Sequence, residues 1–422
     1  MLTLELTDQT GAVTPAEWQA AAAEAAPVLA RAQAGEERYA DSLGWLDPTL
    51  WGGQDWAGRA AALAQQLRGF ADTFVVIGVG GSNNAARTVV EALDLPGGMR
   101  IVWAGNTLSP HAMNRMLAQL EGRSPVIDCI AKNFETLEPG ASFRVLRRWL
   151  TDRYGKQEAA RRILCTGTPG SSLEKLAKEQ GYTFLPFPEP IGGRFTALSP
   201  VHLVPMAAAG ADVAALCRGA EKMAAALRRL PADENPTLQY AALRYLLWQK
   251  GYRAELLSCF EPRMKGLFKW WEQLFAESEG KDGRGLLPVT GEFSEQLHSL
   301  GQFIQDGTHI LFETFLNVKE QQASLSLAPD GVEDGFGYLD DKDFEDLNRA
   351  AFAATRTAHS ATLPCVTLTI DRVDEENLGG LFYFFQFACY LSAELLGVNP
   401  FDQPGVEAYK GWMFRALGKP GA

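Results

Sequence analysis

The chain has 422 residues, 46% apolar, 21% charged and 10% aromatic, and its 39 Lys plus Arg against 51 Asp plus Glu give a net charge of −12. That length predicts two similar lobes rather than one core, the composition excludes a disulfide-stapled module and extensive disorder, and the acidic balance disfavours a broad nucleic-acid-binding face. An anionic small molecule stays allowed, because a few local Lys, Arg or backbone N–H donors hold one phosphate whatever the global sign.

From the N-terminus, MLTLELTDQTGAVTPAEW lacks a basic segment followed by an apolar core, so no secretory signal is expected and the protein is placed in the cytosol. Cys129, Cys165, Cys217, Cys259, Cys365 and Cys389 are scattered without a CxxC pair. This speaks against disulfides and zinc sites and for a reducing compartment. An Ala-rich amphipathic stretch from Pro15 to Asp41 leads into LGWLDP and WGGQDW, a connector punctuated by Trp, Gly and Asp. Phe74 to Gly81, FVVIGVGG, then Ala85 to Leu93 read as strand, tight turn and helix. Further buried-type strands are expected at Arg100–Gly105, Val126–Ala131, Ile163–Thr168 and Thr183–Phe187, separated by helical patterns. The alternation predicts a parallel sheet covered by helices on both faces.

Helices at Asp212–Leu230 and Thr237–Lys250 bridge to a second alternating region, with strands at Glu255–Phe260, His309–Phe315 and Val366–Ile370. Leu327 to Phe344 is acidic, Gly-rich and expected to be a surface loop. Leu378 to Gly397 is as long as a bilayer span, but Gln386, Glu394 and the acidic residues at its start make it a buried helix.

Several residues stand out chemically. Gly78, Gly80, Gly81 and Ser82 form a glycine turn after a strand, where open α/β sheets bind ligands, but Asn83 occupies the third glycine position of a dinucleotide fingerprint. In FKWWEQLFAESEGKDG, Glu277 falls on the face of Leu267, Trp270 and Leu274, while Glu272 and Glu279 are expected elsewhere. A carboxylate ending an aromatic-lined face should have a raised pKa, suited to a general base. His298 is expected in the first turn of a helix capped by Ser294, where the dipole favours a neutral imidazole. Lys410 lies beside Val406, Met413 and Phe414 on the apolar side of a helix opened by DQPG. Arg194 follows Gly192 and Gly193, which let a ligand approach its planar fork. The turn, Glu277, His298 and Lys410 each also have a plain structural reading: a ligand-free turn, a frayed helix end, a structural histidine and a snorkelling lysine.

Taken together, the segments holding these residues closely resemble the bacterial type of the glucose-6-phosphate isomerase family, from about LGWLDP to the C-terminus. VVIGVGGS and IGGRFTALSPVHLVPMAAAGAD look like its two sugar-isomerase signatures, AESEGK with EFSEQLHSLGQFIQDG looks like its catalytic stretch, and LLGVNPFDQPGVEAYKGWMF is similar to its closing signature. The resemblance implies an α/β fold of two flavodoxin-like sugar-isomerase (SIS) lobes, each a parallel sheet flanked by helices. It divides the chain into a helical arm and connector (1–58), a first lobe (59–205), a second lobe (206–398) and a C-terminal helix completing the site (399–422).

The implied activity is interconversion of glucose 6-phosphate and fructose 6-phosphate through a cis-enediol(ate), in a homodimer without metal or organic cofactor. By the same resemblance Glu277 is the base between C2 and C1, His298 and Lys410 open the ring, and Arg194 stabilises the intermediate. Gly81, Ser82, Lys132, Asn133, Thr136, Gly193, Gln273 and Gln403 are then sugar or phosphate contacts, and His298 reaches the site from the partner subunit.

One loop departs from the family. In AKNFETLEP, Ala131 and Asn133 replace hydroxyl residues and Glu135 places a carboxylate near the expected phosphate. This motivates an alternative, a SIS-domain protein acting on or sensing another sugar phosphate. A nucleotide-dependent oxidoreductase built on the Gly78 turn is disfavoured by Asn83.

Overall fold

A computed structural model describes residues 2–419. Met1 and residues 420–422, which the sequence boundaries put in the arm and the C-terminal segment, lie outside the described residues.

Among the described residues ten strands form two five-stranded sheets. They are β1 (Thr3–Thr7), β2 (Thr73–Ile77), β3 (Arg100–Ala104), β4 (Pro125–Ala131), β5 (Ile163–Gly167), β6 (Thr183–Pro186), β7 (Ala254–Cys259), β8 (Leu287–Glu292), β9 (Leu311–Val318) and β10 (Cys365–Ile370). The first sheet has the order β3-β2-β4-β5-β6 and is parallel throughout, with Val75 between Val102 and Ile127. Its central strands β2, β4 and β5 are buried at every position, as parallel strands covered on both faces must be.

The second sheet has the order β1-β10-β9-β7-β8. Here β7, β8, β9 and β10 are parallel, and β1 pairs antiparallel with β10. Two strands escaped the sequence reading. The first, β1, makes the N-terminal arm more than helical: it is an edge of the second lobe. The second, β8 (LPVTGE), carries Pro288 and Gly291, which weaken a strand pattern, and lies on the opposite edge.

Between the lobes' sheets run helices whose limits correct two domain boundaries. Gly53–Arg68 is one helix, so a boundary at 58/59 cuts it, and Pro200–Ala209 spans the 205/206 boundary. The Ala-rich stretch divides into Pro15–Glu24 and Ala26–Ala34, broken next to Pro27 and ended at Gly35. Leu327–Phe344 is mostly exposed, as expected, with one short 3₁₀ turn before Asp343 bridges to Ser326 and Phe344 opens the helix Phe344–Ser360. Helix Glu375–Leu396 is buried from Leu378 to Ala393 among the other helices. Among the described residues no helix is long and apolar enough to cross a membrane.

Candidate active site

The glycine turn after β2 is built by backbone packing. A Cβ on Gly81 would lie 2.3 Å from the carbonyl of Gly193, so this close approach needs glycine at 81, whereas a Cβ on Gly193 would meet open space. Asn83, which broke the dinucleotide pattern, closes the turn instead: its buried Nδ2 donates to the Gly78 carbonyl at 2.9 Å. Buried His202 accepts from the Ala86 N–H at Nδ1 (3.2 Å), so its proton sits on Nε2, which donates to the Gly81 carbonyl at 2.8 Å. Burial pulls this imidazole down to about 4. Ser82 is left half-buried, its hydroxyl without a hydrogen-bond partner among the described residues, before helix Asn84–Ala92.

Arg194 sits in the short turn Gly193–Phe195 and is 3% exposed. Its Nε donates to Ser278 Oγ (2.8 Å), and its Nη2 donates to the carbonyls of Pro400 (2.6 Å) and Asp402 (3.0 Å). Its Nη1 lies 3.1 Å from Glu277 Oε1. A guanidinium has five N–H groups. Four are engaged, which leaves one on Nη1, beside the carboxylate. Burial pulls the Arg194 pKa down from its ordinary value and Glu277 pushes it back up.

Glu277 and Gln273 come from helix Lys265–Glu279, one turn apart. Gln273 Nε2 donates to Glu277 Oε2 at 3.1 Å, and its Oε1 accepts from Asn84 Nδ2 at 2.9 Å. Both carboxylate oxygens are thus held, in a side chain 21% exposed. The apolar wall expected around Glu277 is therefore corrected: its neighbour is a buried cation. The acid that truly ends the apolar face is Glu279, four residues after Phe275 and fully buried. Its partner is buried Arg244, whose Nη2 lies 2.7 Å from Glu279 Oε2 and whose Nη1 meets Glu255 on β7. Sequence reasoning missed this set, although an acid in register with Phe275 and Trp271 was its signal.

The chain before the C-terminal helix is clamped from two sides. Lys281 bonds the Asn399 carbonyl and Asp402 Oδ1 (3.0 Å) while Arg194 takes Pro400 and Asp402. Burial lowers the Lys281 pKa. Gln403 follows directly and is exposed. Helix Glu407–Ala416 then lies over the loop after β4, enclosing a cleft of about 270 Å³ lined by Asn133, Glu135, Thr136, Glu407, Lys410 and Phe414. Lys410 pairs with Glu407 at 2.8 Å. Glu135, expected as a lone repelling charge, pairs with Lys419 at 3.2 Å. Lys132 turns back to the Glu189 (3.1 Å) and Ile191 (2.9 Å) carbonyls.

The structure thus joins Gly81, Gly193, Arg194, Gln273 and Glu277 in one cluster and Asn133, Thr136 and Lys410 in another, linked by the 399–406 segment. His298 stands apart from both. It is exposed and ends the 3₁₀ turn Glu295–His298, ahead of helix Leu300–Asp306, and Ser294 makes no side-chain cap. That corrects its expected place in a capped first helical turn.

The family model described as phosphoglucose isomerase matches residues 55–416. The chain is 44% identical over 391 residues to the glucose-6-phosphate isomerase of Symbiobacterium thermophilum, covering 90% of this chain and 87% of that protein. It is 39% identical over 392 residues to the glucose-6-phosphate isomerase of Staphylococcus saprophyticus, covering 90% and 88%. A crystal structure of a hypothetical protein from Thermus thermophilus superposes with a TM-score of 0.88 at 26% identity, over 98% of this chain and 100% of that one. The glucose-6-phosphate isomerase from Chlamydia trachomatis shares the fold, with a TM-score of 0.83 at 19% identity over 99% and 88% of the chains.

Proposed function

This chain belongs to the phosphoglucose isomerase family, and from that premise we propose that it interconverts glucose 6-phosphate and fructose 6-phosphate with Glu277 as the base. The observation that carries the residue assignment is the Arg194–Glu277 pair, 3.1 Å apart, in which the cation is buried and the carboxylate reachable. A carbon-bound proton needs a base that takes it from C2 and returns it to C1. When the Glu277 carboxylate accepts that proton it becomes neutral, and the negative charge passes to the enediolate oxygen. Arg194 then faces that oxygen with its remaining Nη1 hydrogen, so a fixed cation meets the charge where it develops. The pocket's net charge is the same before and after, and little reorganisation is required.

Gln273 orients Glu277, and Gly81, Ser82 and Gly193 form a backbone cradle for the sugar. Asn133, Thr136 and Lys132 are assigned to the phosphate side and Gln403 to the sugar. Lys410 and His298 exchange the protons of ring opening, with His298 delivered by the partner subunit of a homodimer, a reading its exposure supports. The enzyme works in the cytoplasm, in glycolysis and gluconeogenesis.

The direct test is a coupled assay for fructose 6-phosphate formed from glucose 6-phosphate. The dimer is tested by mixing inactive His298→Ala and Glu277→Gln chains. Partial return of activity is expected, since some heterodimers hold one intact site. No return after demonstrated subunit exchange would place every catalytic group in one chain.

A further inference from the structure

On the flank of the first lobe, helix Leu137–Arg161 is interrupted at Gly155, whose φ of 75° and ψ of 163° belong to a region open essentially to glycine alone. Around this break, and against helix Ser172–Gln180, lies a cleft of about 660 Å³. Arg144, Arg147 and Arg148 approach it from one side of the break and Lys156 from the other, with Tyr182 on the wall. Leu176, Ala159 and Ala160 form an apolar floor. Its volume is that of a small-molecule site.

The charge balance here is unusual for a protein of net charge −12. Among the described residues no carboxylate lies within ion-pair distance of Arg144, Arg147 or Lys156, and the only acid on the cleft, Asp152, is taken by Arg148 at 3.5 Å. Like charges gathered without counterions repel, and a multivalent anion relieves that repulsion while the guanidinium forks match phosphate oxygens. None of these residues belongs to the catalytic cluster.

We propose that this cleft binds a small molecule carrying a diphosphate or two phosphate groups, which bridges Lys156 to the arginines and fastens the broken helix. The ligand is a nucleoside diphosphate or a hexose bisphosphate, two sources of one chemistry.

The test is hydrogen exchange of the full-length protein with inorganic pyrophosphate as probe. Peptides spanning residues 144–160 should exchange at least fivefold more slowly around Gly155 when pyrophosphate is present. The double variant Arg147→Gln/Lys156→Gln, and separately the milder Lys156→Gln, should lose that protection while keeping the basal kcat and KM. Protection confined to residues 78–86 and 131–138, or retained in both variants, overturns the proposal. Competition then separates the sources: displacement of pyrophosphate by ADP assigns a nucleotide, and displacement by a hexose bisphosphate assigns a sugar. Displacement by neither also overturns it.

Discussion

The two sheets share one plan. Counted from equivalent edges, the first runs β3-β2-β4-β5-β6 and the second β8-β7-β9-β10-β1, so that in both the chain reverses direction between its first and third parallel strands. Such switch points are where open α/β sheets bind ligands. The lobes fill theirs differently. The first presents a glycine turn held by His202 and Asn83, with buried Arg194 packed beside it. The second sends helix Lys265–Glu279 across to it, and that helix ends in charge. Its sheet is also charged inside: Glu255 accepts from Thr314 (2.6 Å) and Tyr240, and Glu313 is held by Ser258 and His359 at 2.6 Å each. One topology therefore supplies the backbone turn and the cation in one copy and the carboxylate in the other, and the Arg194–Glu277 pair forms where they meet.

The sharpest way to break this division is to remove the charge delivered by the second lobe. Glu277→Gln keeps the Gln273 contact geometry but cannot take a carbon-bound proton. Isomerisation should fall by about 10² to 10⁴, the usual worth of a general base. Circular dichroism and substrate binding should stay near those of the parent protein, whereas a loss under tenfold, with C2 hydrogen still exchanging in deuterated water, would move the base elsewhere.

The next largest effect belongs to the buried charge behind it. Arg244→Met leaves Glu255 and Glu279 facing each other without a cation, and such a deletion costs about 3 to 5 kcal/mol. Urea unfolding measures it. Adding Glu255→Gln and Glu279→Gln should restore most of the stability, and if it does not, Arg244 acts through packing on Phe275, whose ring it covers at 4.1 Å.

Acid titration sharpens the comparison within the first lobe. His202 titrates at about 4 when folded against 6.5 unfolded, so its contribution is full above pH 6.5 and is lost as pH falls towards 4. Buried Asp128, bonded by Thr166, is raised by burial to about 7 from 3.8, so its contribution is full below pH 3.8 and is lost as pH rises through 7. Between pH 4 and 6.5 the two slopes oppose each other, each at most about 1.4 kcal/mol per pH unit. Asp128→Asn should therefore be more sensitive to acidification than the parent in that window, as read from urea midpoints at several pH values. Equal sensitivity in the two proteins would show that Asp128 ionises normally.

The smallest effect is expected at the loop after β4, proposed above as the phosphate side. The Glu135–Lys419 pair is exposed, and exposed pairs contribute about 0 to 1 kcal/mol. Glu135→Gln should change KM less than about fivefold and lose its effect at high salt. A large, salt-resistant drop in KM would restore the idea that this carboxylate repels the phosphate.

The parallel strands were legible because a strand covered on both faces must be a continuous apolar run, and FVVI, VIDCIA and ILCTG are such runs. The edge strands of the second sheet were not, since β1 is half exposed and β8 contains Pro288 and Gly291. In the candidate site, spacing singled out Glu277, but its surroundings were misjudged. Helical periodicity reports which side chains share a face and says nothing of a cation brought by another segment. Arg194 reaches Glu277 across 83 positions, counted from their numbers, and Arg244 reaches Glu279 across 35.

The antiparallel strand β1 makes the order of synthesis matter. Residues 3–7 align with residues 365–369, so the edge of the second sheet cannot close until the chain beyond Ile370 exists. All five strands of the first sheet lie between residues 73 and 186, and that lobe can assemble on a nascent chain while β1 waits. During the wait β1 has no partner, and without β1 the edge of β10 would stay open as a template for other chains. Deleting residues 2–12 should leave the Arg194–Glu277 pair in place and convert a timing problem into a permanent one, visible as aggregation during refolding rather than as lost chemistry.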